Sequence, residues 1–136
     1  MREVEVSRFV RATPTEVERA LTPSSLVEYE GSFRVLDVRE GDDATHVTAG
    51  ARGLEMTLRF EQVENGFRYV QEGEAGPFSA METVVQFDRE NEGTRVTMRS
   101  SVSLGLPLSG LTDRVAAWKR RGELERALSA LADDVE

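Results

Sequence analysis

Apolar and polar positions alternate with period two along most of this chain, then change to helical spacing near its end. The alternation is cleanest over Leu54–Val63. There Leu54, Met56, Leu58 and Phe60 oppose Glu55, Thr57, Arg59 and Glu61. That is the pattern of a strand with one buried and one wet face. An earlier strand is predicted over residues 2–12, with Val4, Val6, Val10 and Ala12 on one face. Thr13-Pro14-Thr15-Glu16 then reads as a helix start: Thr13 as the cap, Pro14 at the first helical position and Glu16 three after the cap. Thr22-Pro23-Ser24-Ser25 stops that helix and caps a second one over residues 26–29, which Gly31 ends. Further strands are predicted over 33–39, Thr45–Ala51, 79–88 and 94–104, with one more starting at Phe67.

Two hairpin registers follow. Asn65-Gly66 suits a type I′ turn, whose two central residues both need positive φ. A two-residue loop there pairs Glu64 with Phe67, Gln62 with Tyr69 and Phe60 with Gln71. This sets Phe67, Tyr69 and Gln71 on the buried face. A four-residue loop, Glu90-Asn91-Glu92-Gly93, pairs Arg89 with Thr94. Phe87 then meets Val96, Val85 meets Met98, Thr83 meets Ser100 and Met81 meets Val102. Apolar residues coincide in this register, and Thr83 comes beside Ser100 on an otherwise apolar wall.

The last helix is predicted over 108–135 and carries two apolar stripes. One is Leu111, Val115, Trp118 and Gly122; the other is Leu124, Leu128, Leu131 and Val135. At ~100° per residue they lie far apart around the helix. The expectation is a kink or a rotation of the packed face near Gly122.

Composition narrows the classes. At 136 residues the chain reads as one domain, 1–136, able to bury a core. No apolar run approaches the ~20 residues of an integral membrane segment. The first residues alternate charge and Val rather than forming a signal peptide, so a cytoplasmic protein is expected. There is no Cys, hence no disulfide or thiolate chemistry. A net charge of −8 argues against nucleic acid as a partner. The one basic run, Lys119-Arg120-Arg121, reads as a solvated helix face. Sixteen of the 17 basic residues are Arg, which beside so many acidic residues suggests a salt-adapted cytoplasm.

Several segments resemble the START-like superfamily, also called the polyketide cyclase, coenzyme-Q-binding or SRPBCC group. They are Ala12-Thr13-Pro14-Thr15-Glu16-Val17; Leu21-Thr22-Pro23 with Tyr29; Phe67-Arg68-Tyr69-Val70 leading to Gly73-Glu74-Ala75-Gly76-Pro77-Phe78; Gly93-Thr94-Arg95-Val96-Thr97; and the Leu-rich end of the last helix. The resemblance implies an α+β helix-grip fold. Its seven-stranded curved antiparallel sheet wraps around a long C-terminal helix, with two short helices after the first strand. It also implies a cavity between sheet and helix. Lining residues would be Met56, Leu58, Phe60, Phe67, Tyr69, Gln71, Met81, Thr83, Val85, Met98, Ser100 and Val102 from the sheet, with Leu111, Val115 and Trp118 from the helix.

The residues point to binding more than to catalysis. His46, the one histidine, falls on the outer face opposite Arg39, and Glu72 and Glu82 fall on the wet face. One His and no Cys argue against a structural zinc site. No Ser-His-Asp spacing, P-loop or dinucleotide fingerprint is present, so no catalytic residue, metal or cofactor is implied. The leading expectation is a protein that binds a small apolar molecule such as a lipid, a quinone or a polyketide. A cyclase or dehydratase using the same cavity is one alternative. A co-chaperone-like interaction module, with its protein partner unknown, is the other.

Overall fold

The computed structural model describes residues 2–73, 78–103 and 109–136, with side chains of the last stretch from residue 113 onward. The elements are β1 Arg2–Val10, α1 Pro14–Ala20, α2 Pro23–Glu30, β2 Arg34–Glu40, β3 Thr45–Ala51, β4 Leu54–Val63, β5 Gly66–Glu72, β6 Ala80–Glu90, β7 Gly93–Ser103 and α3 Ser109–Val135. The strands form one antiparallel seven-stranded sheet in the order β1-β7-β6-β5-β4-β3-β2. The short helices follow β1, and α3 lies nearest β1, β7 and the two short helices. This is the helix-grip fold.

Reciprocal capping starts both short helices. Thr13 accepts from the Glu16 amide while the Glu16 carboxylate accepts from the Thr13 amide. Thr22 and Ser25 do the same for α2, which therefore starts at Pro23 rather than at 26. Gly31, in the left-handed region, closes α2 just after Glu30.

The β6–β7 register matches the expected pairs, from Arg89↔Thr94 to Met81↔Val102. Glu90 also pairs with Gly93, shortening the loop to two residues. The β4–β5 hairpin differs. Its pairs are Val63↔Gly66, Gln62↔Phe67, Phe60↔Tyr69 and Leu58↔Gln71, two residues away from the expected register. Asn65 has positive φ but Glu64 and Gly66 do not. Gly66 is instead a place of close approach: a Cβ there would lie 1.8 Å from the Val85 carbonyl oxygen. Positive φ at two successive central residues occurs at Arg52-Gly53, between β3 and β4.

The helix α3 also departs from expectation. From residue 113 on, its buried positions are Asp113, Ala116, Ala117, Arg120, Glu123, Leu124, Ala127, Leu128, Leu131 and Ala132. Spaced by three and four, they form one stripe that keeps its direction: 18 residues at ~100° is five full turns. The packed face therefore does not rotate at Gly122. Val115 and Trp118 lie off this stripe, 55% and 77% exposed, and do not cover the interior as expected. Leu111 lies outside the described side chains.

Candidate functional site

The inner face of the sheet carries the side chains that period-two alternation places there. Met56, Leu58, Phe60, Tyr69, Met81, Val85, Met98 and Val102 are buried in one contiguous cluster, with Phe67 half-buried against it. Phe60 and Tyr69, cross-strand partners, stack with ring centroids 4.5 Å apart. Gln71, Thr83 and Ser100 are buried on the same face.

Within this apolar wall sits a charged cluster. Arg120, only 1% exposed, turns from α3 onto the sheet. Its Nε donates to Ser100 Oγ at 3.1 Å. Its Nη1 donates to Glu30 Oε1 at 2.7 Å and to Glu123 Oε1 at 3.0 Å. Its Nη2 faces Tyr69 Oη and Thr83 Oγ1, both at 2.8 Å, and Glu30 Oε2 at 3.2 Å. All five guanidinium protons thus have acceptors. The hydroxyls complete the network: Tyr69 donates to Glu30, and Thr83 and Ser100 lie 2.8 Å apart. Ser32 and Lys119 donate to Glu123 at the rim. Lys119 and Arg120 balance Glu30 and Glu123 in charge.

Electrostatics follow from this geometry. Burial alone would favour a neutral guanidine, but Glu30, Tyr69 and Glu123 outweigh it and hold Arg120 well above the ordinary arginine range. Burial also drives the Tyr69 phenol well above its usual value, against the opposing pull of Arg120. Burial pushes Glu123 upward, yet Arg120, Ser32 and Lys119 together hold it below the usual carboxylate range.

The basic run was expected on a solvated face, and the structure corrects this for Arg120. Glu30, at the last position of α2, and Glu123 likewise escaped the sequence reading. One signal was available. Arg120 and Glu123 share the helical phase of Leu124, Leu128 and Leu131, and reading them as buried partners makes the apolar stripe continuous. His46 lies opposite Arg39 as expected, and its Nε2 is 3.3 Å from Glu72. Glu72 and Glu82 are on the outer side, Glu82 accepting from Arg68. Among the described residues no cluster of His, Cys, Asp or Glu could hold a metal.

Gln71 stands apart from the Arg120 cluster. Its Nε2 donates to the carbonyls of Phe78 at 2.7 Å and Gly73 at 3.3 Å. These two acceptors fix the amide orientation, because a flip would set oxygen against both carbonyls. Its Oε1 is buried and is the one buried side-chain polar atom without a hydrogen-bond partner among the described residues.

A sheet gripping a long helix, with an apolar inner face, is a hydrophobic-ligand-binding fold. The chain belongs to the polyketide cyclase / dehydrase and lipid transport family, which matches residues 1–136. Solved structures share its fold. A protein from Thermus thermophilus has 28% identity and a TM-score of 0.76, over 98% of this chain and 97% of that one. The XoxI protein of Bacillus cereus has 19% identity and a TM-score of 0.74, over 99% and 96%. A START superfamily protein from Mycobacterium smegmatis has 15% identity and a TM-score of 0.71, over 98% and 96%. No curated protein matches by sequence. Among the described residues no helix is long and apolar enough to cross a membrane.

Proposed function

We propose that this protein binds a small apolar molecule bearing a hydroxyl or N–H donor, with Gln71 Oε1 as the acceptor that orients it. The observation that carries this reading is the unpaired Oε1. A buried carbonyl-type oxygen without a donor costs about 1–3 kcal/mol, which a ligand donor would recover. The surroundings suit an apolar body: Leu58 pairs across from Gln71, and Met56 and Met81 lie on the same inner face. Methionine adapts its shape to irregular ligands. A hydroxylated lipid, a quinol or a phenolic polyketide would fit this chemistry. A quinone, which lacks a donor, would not.

Catalysis is less well supported. An acid or base must face its substrate, whereas Arg120 spends every donor inside the protein and Tyr69 gives its proton to Glu30.

The test is a set of matched ligand pairs measured by calorimetry: 1-naphthol with 1-methoxynaphthalene, and dodecanol with dodecyl methyl ether. The hydroxyl member should bind about tenfold more tightly, ~1.4 kcal/mol. Gln71→Leu should abolish that preference while retaining binding of the ether. Absence of binding by all four compounds, or an unchanged preference in Gln71→Leu, would refute the proposal.

A further inference from the structure

We infer that the outward face of α3 docks on an anionic membrane surface, with Trp118 as its interfacial anchor. The inference stands on this face alone and does not depend on what the interior binds.

Trp118 and Val115 are the two most exposed large hydrophobic side chains among the described residues. Both project from the side of α3 opposite its buried stripe. At ~100° per residue, Arg114, Val115, Trp118, Arg121, Gly122 and Glu125 share one outward sector. Burying a Trp normally removes a large apolar area from water, so an indole 77% exposed is a costly surface unless something covers it.

Charge selects what covers it. The chain carries −8 overall. Yet Arg114 and Arg121 are exposed beside Trp118, and Lys119 is half-exposed at the edge of the sector. Glu125, seven residues after Trp118, is the one exposed acidic residue of this sector between Arg114 and Arg126, against Arg114 and Arg121 with Lys119 at the edge. An aromatic side chain among a net excess of Lys and Arg is the composition of a membrane-interface site, where the ring sits at headgroup depth and the cations meet anionic lipid. Beside Gly122, which has no side chain, a cleft of about 360 Å³ opens between Trp118, Lys119, Arg121 and Arg126. Glu125 also lines this notch, so three cations and one carboxylate bound it, a net positive setting for a phosphate-bearing headgroup. A second copy of the chain suits the surface less well, because two-fold pairing of this face would bring the arginines of one copy toward those of the other.

Trp118 is the single tryptophan of the chain, so its fluorescence reports this face without background. The experiment adds vesicles of phosphatidylcholine with or without 30 mol% phosphatidylglycerol to the purified protein, and reads both emission and co-sedimentation. The expected result is a water-exposed indole spectrum in buffer, and a blue shift with co-sedimentation on the anionic vesicles only. Each cation near such a surface contributes about fivefold in partitioning. Arg114→Glu with Arg121→Glu should therefore weaken it at least tenfold, with an unchanged thermal melt. Trp118→Ser, followed by sedimentation, should weaken it as well.

Equal binding to both vesicle types, no binding to either, or binding unaffected by the charge reversal would overturn the inference. So would a blue shift that depends on protein concentration alone, which would assign the face to a second copy. A shift produced by poly-glutamate but not by vesicles would assign it to an acidic protein. The ligand measurements on Gln71 involve no vesicle, so either result can fail without the other.

Discussion

Three consecutive basic residues, Lys119, Arg120 and Arg121, have three different environments: a rim, the core and open solvent. Consecutive helical residues point about 100° apart, so a charge run cannot share one face. Reading polar residues as outside fails at Arg120 because a charge can be buried when its partners are buried with it. Here the partners come from α2, α3 and three strands, none of them local in sequence except Glu123. That is why the Thr83–Ser100 pair was legible while the cation it serves was not. Removing the cation alone should be severe. Arg120→Met leaves Glu30 and Glu123 facing each other unpaired, and should cost about 3–5 kcal/mol in urea denaturation. Adding Glu30→Leu and Glu123→Leu should restore a large part of that loss, since no buried charge then remains unpaired. A single variant within ~1 kcal/mol of wild type would refute this account of the network. Glu123 also predicts an acid limit. Its carboxyl is held below the usual range in the folded state, so its contribution is present above the ordinary carboxylate pKa. That contribution is lost as pH falls through the depressed folded value. Glu123→Gln should flatten the acid limb of a stability–pH curve.

Two glycines test how well elements can be read from their punctuation. Asn65-Gly66 marks a hairpin, and a hairpin is there, but its register differs by two residues because the loop is Glu64-Asn65. A slip of two returns every side chain to the same face, so apolar alternation cannot detect it. This is why Phe67, Tyr69 and Gln71 face inward although each has a different partner from the one expected. What sets the register is the approach of β6 to Gly66, a contact distant in sequence. Gly66→Ala should therefore destabilise strongly, by about 3 kcal/mol or more, since the methyl meets backbone that cannot yield. Asn65→Gly, at a positive φ, should be tolerated. Gly122 gives the opposite result. It sits inside an unbroken helix, and an added Cβ would meet only the end of Arg126 at an ordinary 3.5 Å. Gly122→Ala should stabilise by about 0.5–1 kcal/mol, the usual gain at a helix interior. A loss of stability there would revive the kink that the two-stripe pattern suggested. Thermal melts of the three variants decide both questions.

For the molecule as a whole, the grip of α3 depends on ties between that helix and the α2 region. Arg120 and Arg126 bond to Glu30, Glu123 accepts from Ser32, and Tyr29 donates to Asp134 near the helix end. Element order in the sequence foretold that α3 would lie across the sheet, because a curved sheet with one apolar face needs a cover. It could not foretell these ties, which join residues far apart along the chain. The two tyrosines of the chain take part in them: Tyr29 directly, and Tyr69 through Glu30 and Arg120. Burial first, then Asp134, raises the Tyr29 phenol to about 12, and burial raises Tyr69 well above its usual value. Each is therefore held neutral in the folded state at a pH where the unfolded chain would ionise. Their stabilising contribution is whole below the ordinary phenol pKa of ~10 and declines as pH rises through the folded values. Absorbance titration should show almost no tyrosinate half a unit above that ordinary value. Ionisation should then begin with Tyr29 near 12, and the Tyr69 signal should rise only together with loss of near-ultraviolet circular dichroism. Tyr29→Phe should remove the first step and leave the second. A full tyrosinate step near pH ~10 in protein that keeps its circular dichroism would mean that the phenols are free in solution, and the clamp between α2 and α3 would have to be abandoned.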